Sequence, residues 1–168
     1  MTVTYFAYGS NLLFARLQAR CPSIVNLGMA RLQNHRLSFN KPGGDRSGKC
    51  GIEVVQTDEY VIGVLYQMVL DEKPILDHIE GVGHGYRDQQ IMVSTDQGHL
   101  NCFTYYPTRL DAALQPWDWY KAFVVEGARE NKFPGTYLSM IEAVNCLEDP
   151  DTERRRQNLQ ILGDLYEL

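Results

Sequence analysis

The apolar residues of this 168-residue chain change period once, between Tyr106 and Pro116, and that change limits the fold more than anything else. Before it they mostly alternate, as on half-buried strands; after it they recur at three- and four-residue spacing, as on amphipathic helices. Strands are expected over residues 2–8, 51–56, 60–69, 89–95 and 99–106, and 24–40 reads as two strands or one bent strand. Thr57-Asp58-Glu59 and Asp96-Gln97-Gly98 supply hairpin-like turns. A helix is expected over 12–19, stopped by Cys21-Pro22-Ser23. Asp71 caps a second, with Pro74 in its first turn and Ile75, Leu76 and Ile79 as its apolar face, ending at Glu80. Pro116 and Pro134 open two more, carrying Trp119, Tyr120, Phe123, Val124 and Gly127, then Tyr137, Met140, Ile141 and Val144. A last helix follows Asp149-Pro150-Asp151, with Leu159, Leu162 and Leu165. Strands first and helices afterwards predict an α+β fold, with a mostly antiparallel sheet able to close into a small β-barrel flanked by helices. Neither repeats nor a linker divide residues 1–168, so one domain is expected.

Hydrophobic residues at 44% and charged residues at 22% belong to an ordinary globular chain. A net charge of -5 argues against a nucleic-acid partner. The basic run Arg154-Arg155-Arg156 reads as a solvated helix face. No apolar run is long enough to span a membrane, and Met1-Thr2-Val3-Thr4 lacks the start of an export signal. Cys21, Cys50, Cys102 and Cys146 stand far apart, which predicts reduced thiols and a cytoplasmic location. Neither they nor His35, His78, His84 and His99 have metal-ligand spacing, so no metal is expected. Gly43-Gly44-Asp45-Arg46-Ser47-Gly48-Lys49-Cys50 nearly spells a phosphate-binding P-loop. Cys50 replaces the required hydroxyl, and a strand-like run follows instead of a helix. A mobile loop near a pocket mouth is the expectation there.

Two segments carry chemistry. Tyr5-Phe6-Ala7-Tyr8-Gly9-Ser10-Asn11-Leu12 runs as a strand and breaks into a helix, leaving backbone N–H groups for an anion or a developing oxyanion. Ser10 is not a nucleophile elbow, because Tyr8 and Leu12 stand where G-x-S-x-G needs glycines. Glu80 ends its helix just before a three-glycine loop, where the helix dipole disfavours a carboxylate. Such poor local placement marks a site residue, with an exposed loop glutamate as the alternative.

Together with Leu76-Asp77-His78-Ile79-Glu80-Gly81-Val82, Gly85-Tyr86, Gly51-Ile52, Trp119-Tyr120 and Gly127-Ala128, the opening segment resembles the gamma-glutamylcyclotransferases. The likeness runs in order from about residue 4 to residue 141 and leaves out residues 151–168. It implies a small closed barrel and a cofactor-free cyclisation. A γ-glutamyl amino acid or amine would release 5-oxoproline without a covalent enzyme intermediate. It also implies that Glu80 is the catalytic acid/base, that Tyr5, Phe6, Ala7, Tyr8, Gly9, Ser10 and Asn11 bind substrate, and that Tyr86 and Tyr120 wall the pocket. The partner implied is thus a small γ-glutamyl compound, within glutathione metabolism at large, and a homodimer is compatible with it. Asn11 after Y-G-S points away from glutathione itself, and the Glu80-to-Tyr86 loop is shorter than the family pattern.

Overall fold

In the computed structural model, which describes residues 1–164, five strands close into a barrel in the order β1-β5-β2-β6-β7. These are β1 (Thr2–Ala7), β2 (Val25–Gln33), β5 (Tyr60–Val69), β6 (Tyr86–Thr95) and β7 (Gly98–Pro107). All the barrel pairings are antiparallel except the closing one, where β1 lies parallel to β7 with Tyr5 beside Phe103. The α+β barrel legible in the sequence is therefore present. Residues 24–40 form two strands, turned by Asn34 in the left-handed region at φ 58°. The second, β3 (His35–Pro42), leaves the barrel and pairs only with β4 (Gly48–Val54).

Several elements differ from expectation for tertiary reasons. The segment 12–19 is not one helix: a 3₁₀ turn, Ser10–Leu12, is followed by extended Leu13 and then α1 (Phe14–Gln18). Both Leu12 and Leu13 are buried, and continuing the helix would turn one of them away from the core. Asp71 does not cap α2 (Lys73–Glu80); it lies in a 3₁₀ turn, and Glu72 occupies the cap position without a capping bond. The Glu72 carboxylate instead accepts from the Ser23 amide and hydroxyl. Of the three apolar residues expected to face inward, only Leu76 is buried, while Ile75 and Ile79 are exposed. On β2, a bulge between Asn26 and Gly28 leaves Leu27 and Met29 outside. The glycine-rich loop forms the turn between β3 and β4, beside a surface recess that Gly43 and Gly44 help to line. The Gly43 amide donates to the Ser47 carbonyl at 2.8 Å, and Lys49 pairs with Asp45 at 2.6 Å.

The helices cover the barrel end that carries the Tyr8–Asn11 turn. In α3 (Asp118–Glu130), Gly127 lets the helix lie against that turn, since a Cβ there would fall 2.5 Å from the Leu13 nitrogen. The Leu12 carbonyl accepts from the Tyr66 hydroxyl at 2.9 Å and from the Asn131 amide at 3.0 Å. The turn is thus clamped from both the barrel and the helix. After α4 (Gly135–Glu142), Leu147 exchanges backbone bonds with Pro116 and Asp118. The chain then enters α5 (Thr152–Asp164), while Leu165, expected on its apolar face, lies outside the described residues. Among the described residues no helix is long and apolar enough to cross a membrane.

The arginine run is not a solvated face. Asp149, 1% exposed, accepts from Trp119 Nε1 at 2.7 Å, from the Asp151 amide at 2.9 Å and from both ends of the Arg154 guanidinium. Arg155 pairs with Asp118 on α3 at 2.7 Å, and only Arg156 stays on the helix surface, paired with Glu153. The Arg154 bonds hold the Asp149 carboxyl down at about 2. This lies below the ordinary ~3.9 of an unfolded chain. Its stabilisation is therefore complete above about pH 4 and is lost as pH falls toward about 2. Asp149→Asn is expected to cost about 3 kcal/mol in urea denaturation at neutral pH, and the cost should shrink as the wild type is acidified. Equal stability at pH 7 would refute the clamp.

Candidate active site

Barrel closure and the clamped turn bring one end of β1, β4, β6 and β7 together under α3. The recess they form is lined by Tyr5, Tyr8, Gly9, Ser10, Asn11, Cys50, Glu80, Tyr86, Tyr105 and Tyr120, and its cavity volume is about 20 Å³. Glu80 reaches it because α2 stops at once: Gly81 takes the left-handed conformation at φ 72°, and its amide bonds to the His78 carbonyl. The following loop folds on itself, with the Gly83 amide donating to the Tyr86 carbonyl at 2.9 Å. This places Tyr86 at the start of β6, three residues before the strand was expected, and next to the carboxylate.

Glu80 is neither exposed nor alone. Its Oε1 accepts from Asn11 Nδ2 at 2.9 Å and from Arg20 Nη1 at 2.9 Å, while Arg20 also donates to Asn11 Oδ1 at 2.8 Å. The Glu80 and Arg20 side chains are only 18% and 19% exposed, so this pair is screened far less than a surface bridge. The dipole penalty at the helix end is thereby offset by a nearby cation and an amide. Oε2 makes no hydrogen bond among the described residues.

The tyrosines form a wall of neutral hydroxyls. Tyr8 donates to the Tyr105 carbonyl, Tyr86 to the Cys50 carbonyl at 2.5 Å, and the Cys50 amide donates to the Tyr120 hydroxyl at 2.9 Å. Tyr5 accepts from Asn11 at 3.2 Å and stacks on Phe103. Burial, reinforced by neighbouring acidic groups, holds the phenols of Tyr5, Tyr8, Tyr86 and Tyr120 well above the ordinary tyrosine range. They can orient or donate but cannot act as bases near neutrality.

Phe6 and Ala7 do not join the recess. Both are fully buried in the core, where Phe6 packs against the space left by Gly63 and its carbonyl accepts from Thr104. The turn is also no helix N-terminus, because three 3₁₀ residues and a five-residue helix carry little dipole. Whatever its amides bind, they bind as separate donors. Sequence reasoning missed Arg20 and Tyr105 as lining residues of this site. Arg16 and Arg20 stand one helical turn apart near the motif, which was the available signal for Arg20. Tyr105 shares strand parity with Phe103.

Among the described residues neither Ser10 nor Cys50 is bonded to a histidine: His35 binds the Gln33 carbonyl and the Tyr106 hydroxyl, and His99 lies by Ser94. Among the described residues no three His, Cys, Asp or Glu side chains converge on a metal position.

This combination of a small closed barrel, a clamped Y-G-S-N turn and one half-buried carboxylate beside it defines a recognisable class. A model described as the AIG2-like family matches residues 60–141. A gamma-glutamylcyclotransferase of Mus musculus is 37% identical over 149 residues, covering 85% of this chain and 79% of its own. That of Homo sapiens is 35% identical over 146 residues, covering 83% and 77%. A solved gamma-glutamyl cyclotransferase structure superposes with a TM-score of 0.81 at 31% identity, covering 88% of this chain and 90% of its own. The chain belongs to the gamma-glutamylcyclotransferase family.

Burial pushes the Cys50 thiol up to about 12, so little thiolate exists at neutral pH. Of the four cysteines only Cys146 is not buried. Brief iodoacetamide treatment of the native protein at pH 7.5 should label Cys146 and spare Cys50 by peptide mass spectrometry. Early labelling of Cys50 would mean an open, activated thiol.

Proposed function

We propose that this chain catalyses the cyclisation of a γ-glutamyl compound to 5-oxoproline with release of the amine. The observation that carries this reading is the Glu80 carboxylate, anchored through Oε1 with Oε2 free, across a small recess from the Gly9-Ser10 turn. The substrate's α-ammonium first loses one proton to solvent, giving a nucleophile. Its nitrogen attacks the γ-carbonyl of the same molecule, and Oε2 takes the second proton as the ring N–C bond forms. Negative charge passes to the carbonyl oxygen, where the amides of Gly9 and Ser10 are the available donors. The carboxylic acid then returns its proton to the departing nitrogen as the old C–N bond breaks, and carboxylate is restored.

Five-membered ring closure within one molecule requires only that the chain be held folded, so positioning supplies much of the rate. The neutral tyrosine wall suits that task, since it confines the glutamyl half without competing for the proton. No cofactor is required by this sequence of steps. A cytoplasmic setting fits four cysteines that are all free.

Glu80→Gln keeps the acceptor for Asn11 and Arg20 but removes the proton carrier. It is expected to lower kcat for 5-oxoproline release by about a hundredfold or more, with the far-ultraviolet circular dichroism unchanged. Full activity in that variant would overturn the assignment of the base. Arg20→Met should lower kcat by about tenfold with a smaller change in KM, because it loosens the carboxylate without touching the recess wall.

A further inference from the structure

Beyond the reacting recess lies a second one of about 200 Å³, sharing Ser10, Glu80, Tyr86 and Tyr120 with it and lined also by Arg16, Arg20, Lys41 and Lys49. Four cations thus face one carboxylate, on a chain whose net charge is -5. Their partners differ. Arg20 is held by Glu80 and Asn11, and Lys49 by Asp45. Among the described residues, neither Arg16 nor Lys41 has an anion within ion-pair distance. Arg16 lies over the Phe123 ring at 4.5 Å, and its Nε is buried with no hydrogen-bond partner. Lys41 runs across Gly85, where a Cβ would fall 2.6 Å from Nζ, and rests 4.3 Å from the centre of the Tyr86 ring. Burial lowers the pKa of both groups, that of Arg16 to about 10, so Arg16 stays charged at neutral pH, and neither group has a counter-ion within ion-pair distance among the described residues. Half-buried unpaired cations are costly to keep, and a bound anion removes that cost.

We infer that this outer recess is an anion subsite for the leaving group, with Arg16 and Lys41 as its specificity-determining residues, and that it favours γ-glutamyl derivatives of acidic amino acids. The inference rests on the cyclisation read from the inner recess. With the reacting carbonyl beside Glu80 and the turn, the departing amine points outward past Tyr86 and Tyr120, toward both cations. A leaving amino acid presents one carboxylate there; glutamate or aspartate presents two, which matches two unpaired cations. A simple amine presents none.

The test compares γ-glutamylglutamate, γ-glutamylalanine and γ-glutamylethylamide. At low salt kcat/KM should fall by about tenfold at each loss of a carboxylate, mainly through KM, and the spread should narrow as salt is raised. Lys41→Glu should reverse the preference, favouring γ-glutamyl-lysine over γ-glutamylglutamate. Dissociation constants by calorimetry in the Glu80→Gln background should follow the same order, and adding Lys41→Ala should weaken γ-glutamylglutamate more than γ-glutamylethylamide. Turnover of all three at equal kcat/KM, or an order that Lys41→Glu leaves intact, overturns the subsite while the cyclisation stands. Ordered binding with no 5-oxoproline from any of them overturns the cyclisation while the subsite stands.

Discussion

The barrel exists because β1 pairs in opposite senses with its two neighbours, antiparallel to β5 and parallel to β7. A sheet of otherwise antiparallel strands cannot close through an odd number of members without one parallel seam. That seam is the single pairing of Tyr5 with Phe103, and backbone bonds alone would make it weak. Side chains compensate: Tyr5 stacks on Phe103 at 5.2 Å between ring centres and tilts against Tyr105 at 5.5 Å. Thr104 donates across the seam to the Phe6 carbonyl, and Tyr8 to that of Tyr105. Tyr5, Tyr8 and Tyr105 therefore both wall the recess and close the barrel. Catalytic geometry and fold stability draw on the same contacts, so the site has little freedom to move without opening the sheet.

What could be read from the residues followed the range of the forces. Strand alternation and glycine turns are local, and the barrel strands, the β6–β7 hairpin turn and the stop at Gly81 were legible, whereas Thr57-Asp58-Glu59 joins β4 to β5 without pairing them. The separation of β3 and β4 from the barrel was not, because alternation gives faces and not partners. The helix expected over 12–19 failed at Leu13, where two consecutive leucines must both be buried and α3 presses against the turn through Gly127. Ile75 and Ile79 looked like a core face by spacing, yet only Leu76 meets the barrel. In the site, Glu80 and the turn could be found because each violates a local rule. Arg20 violates none; its partner Glu80 is 60 residues away, so its role appears only once the chain is folded.

Within the recess a division of labour follows from burial. Phenols and thiol are held in their neutral forms, and their hydrogen bonds are mostly directed at backbone groups of β4 and β7. In the proposed mechanism this leaves one carboxylate oxygen, Glu80 Oε2, to exchange the proton. A buried polar cluster in which nearly every member is satisfied is rigid, and rigidity suits an intramolecular reaction that needs a conformation held more than it needs new reactants gathered.

The clamp around Asp149 has a consequence for how the chain can change over time. Trp119, which donates to Asp149, sits beside Tyr120 on α3, and Lys49 of the outer recess rests on the rings of both. Arg154 of α5, a helix outside the likeness seen in the sequence, thus shares the Asp149 carboxylate with Trp119, the neighbour of recess residue Tyr120. A substitution of Arg154 strands Asp149 in the interior and is tolerated only alongside a compensating change at Asp149. Drift on α5 is in this way coupled to the strand-free segment before it, and Arg154 and Asp149 should vary together among descendants of this sequence.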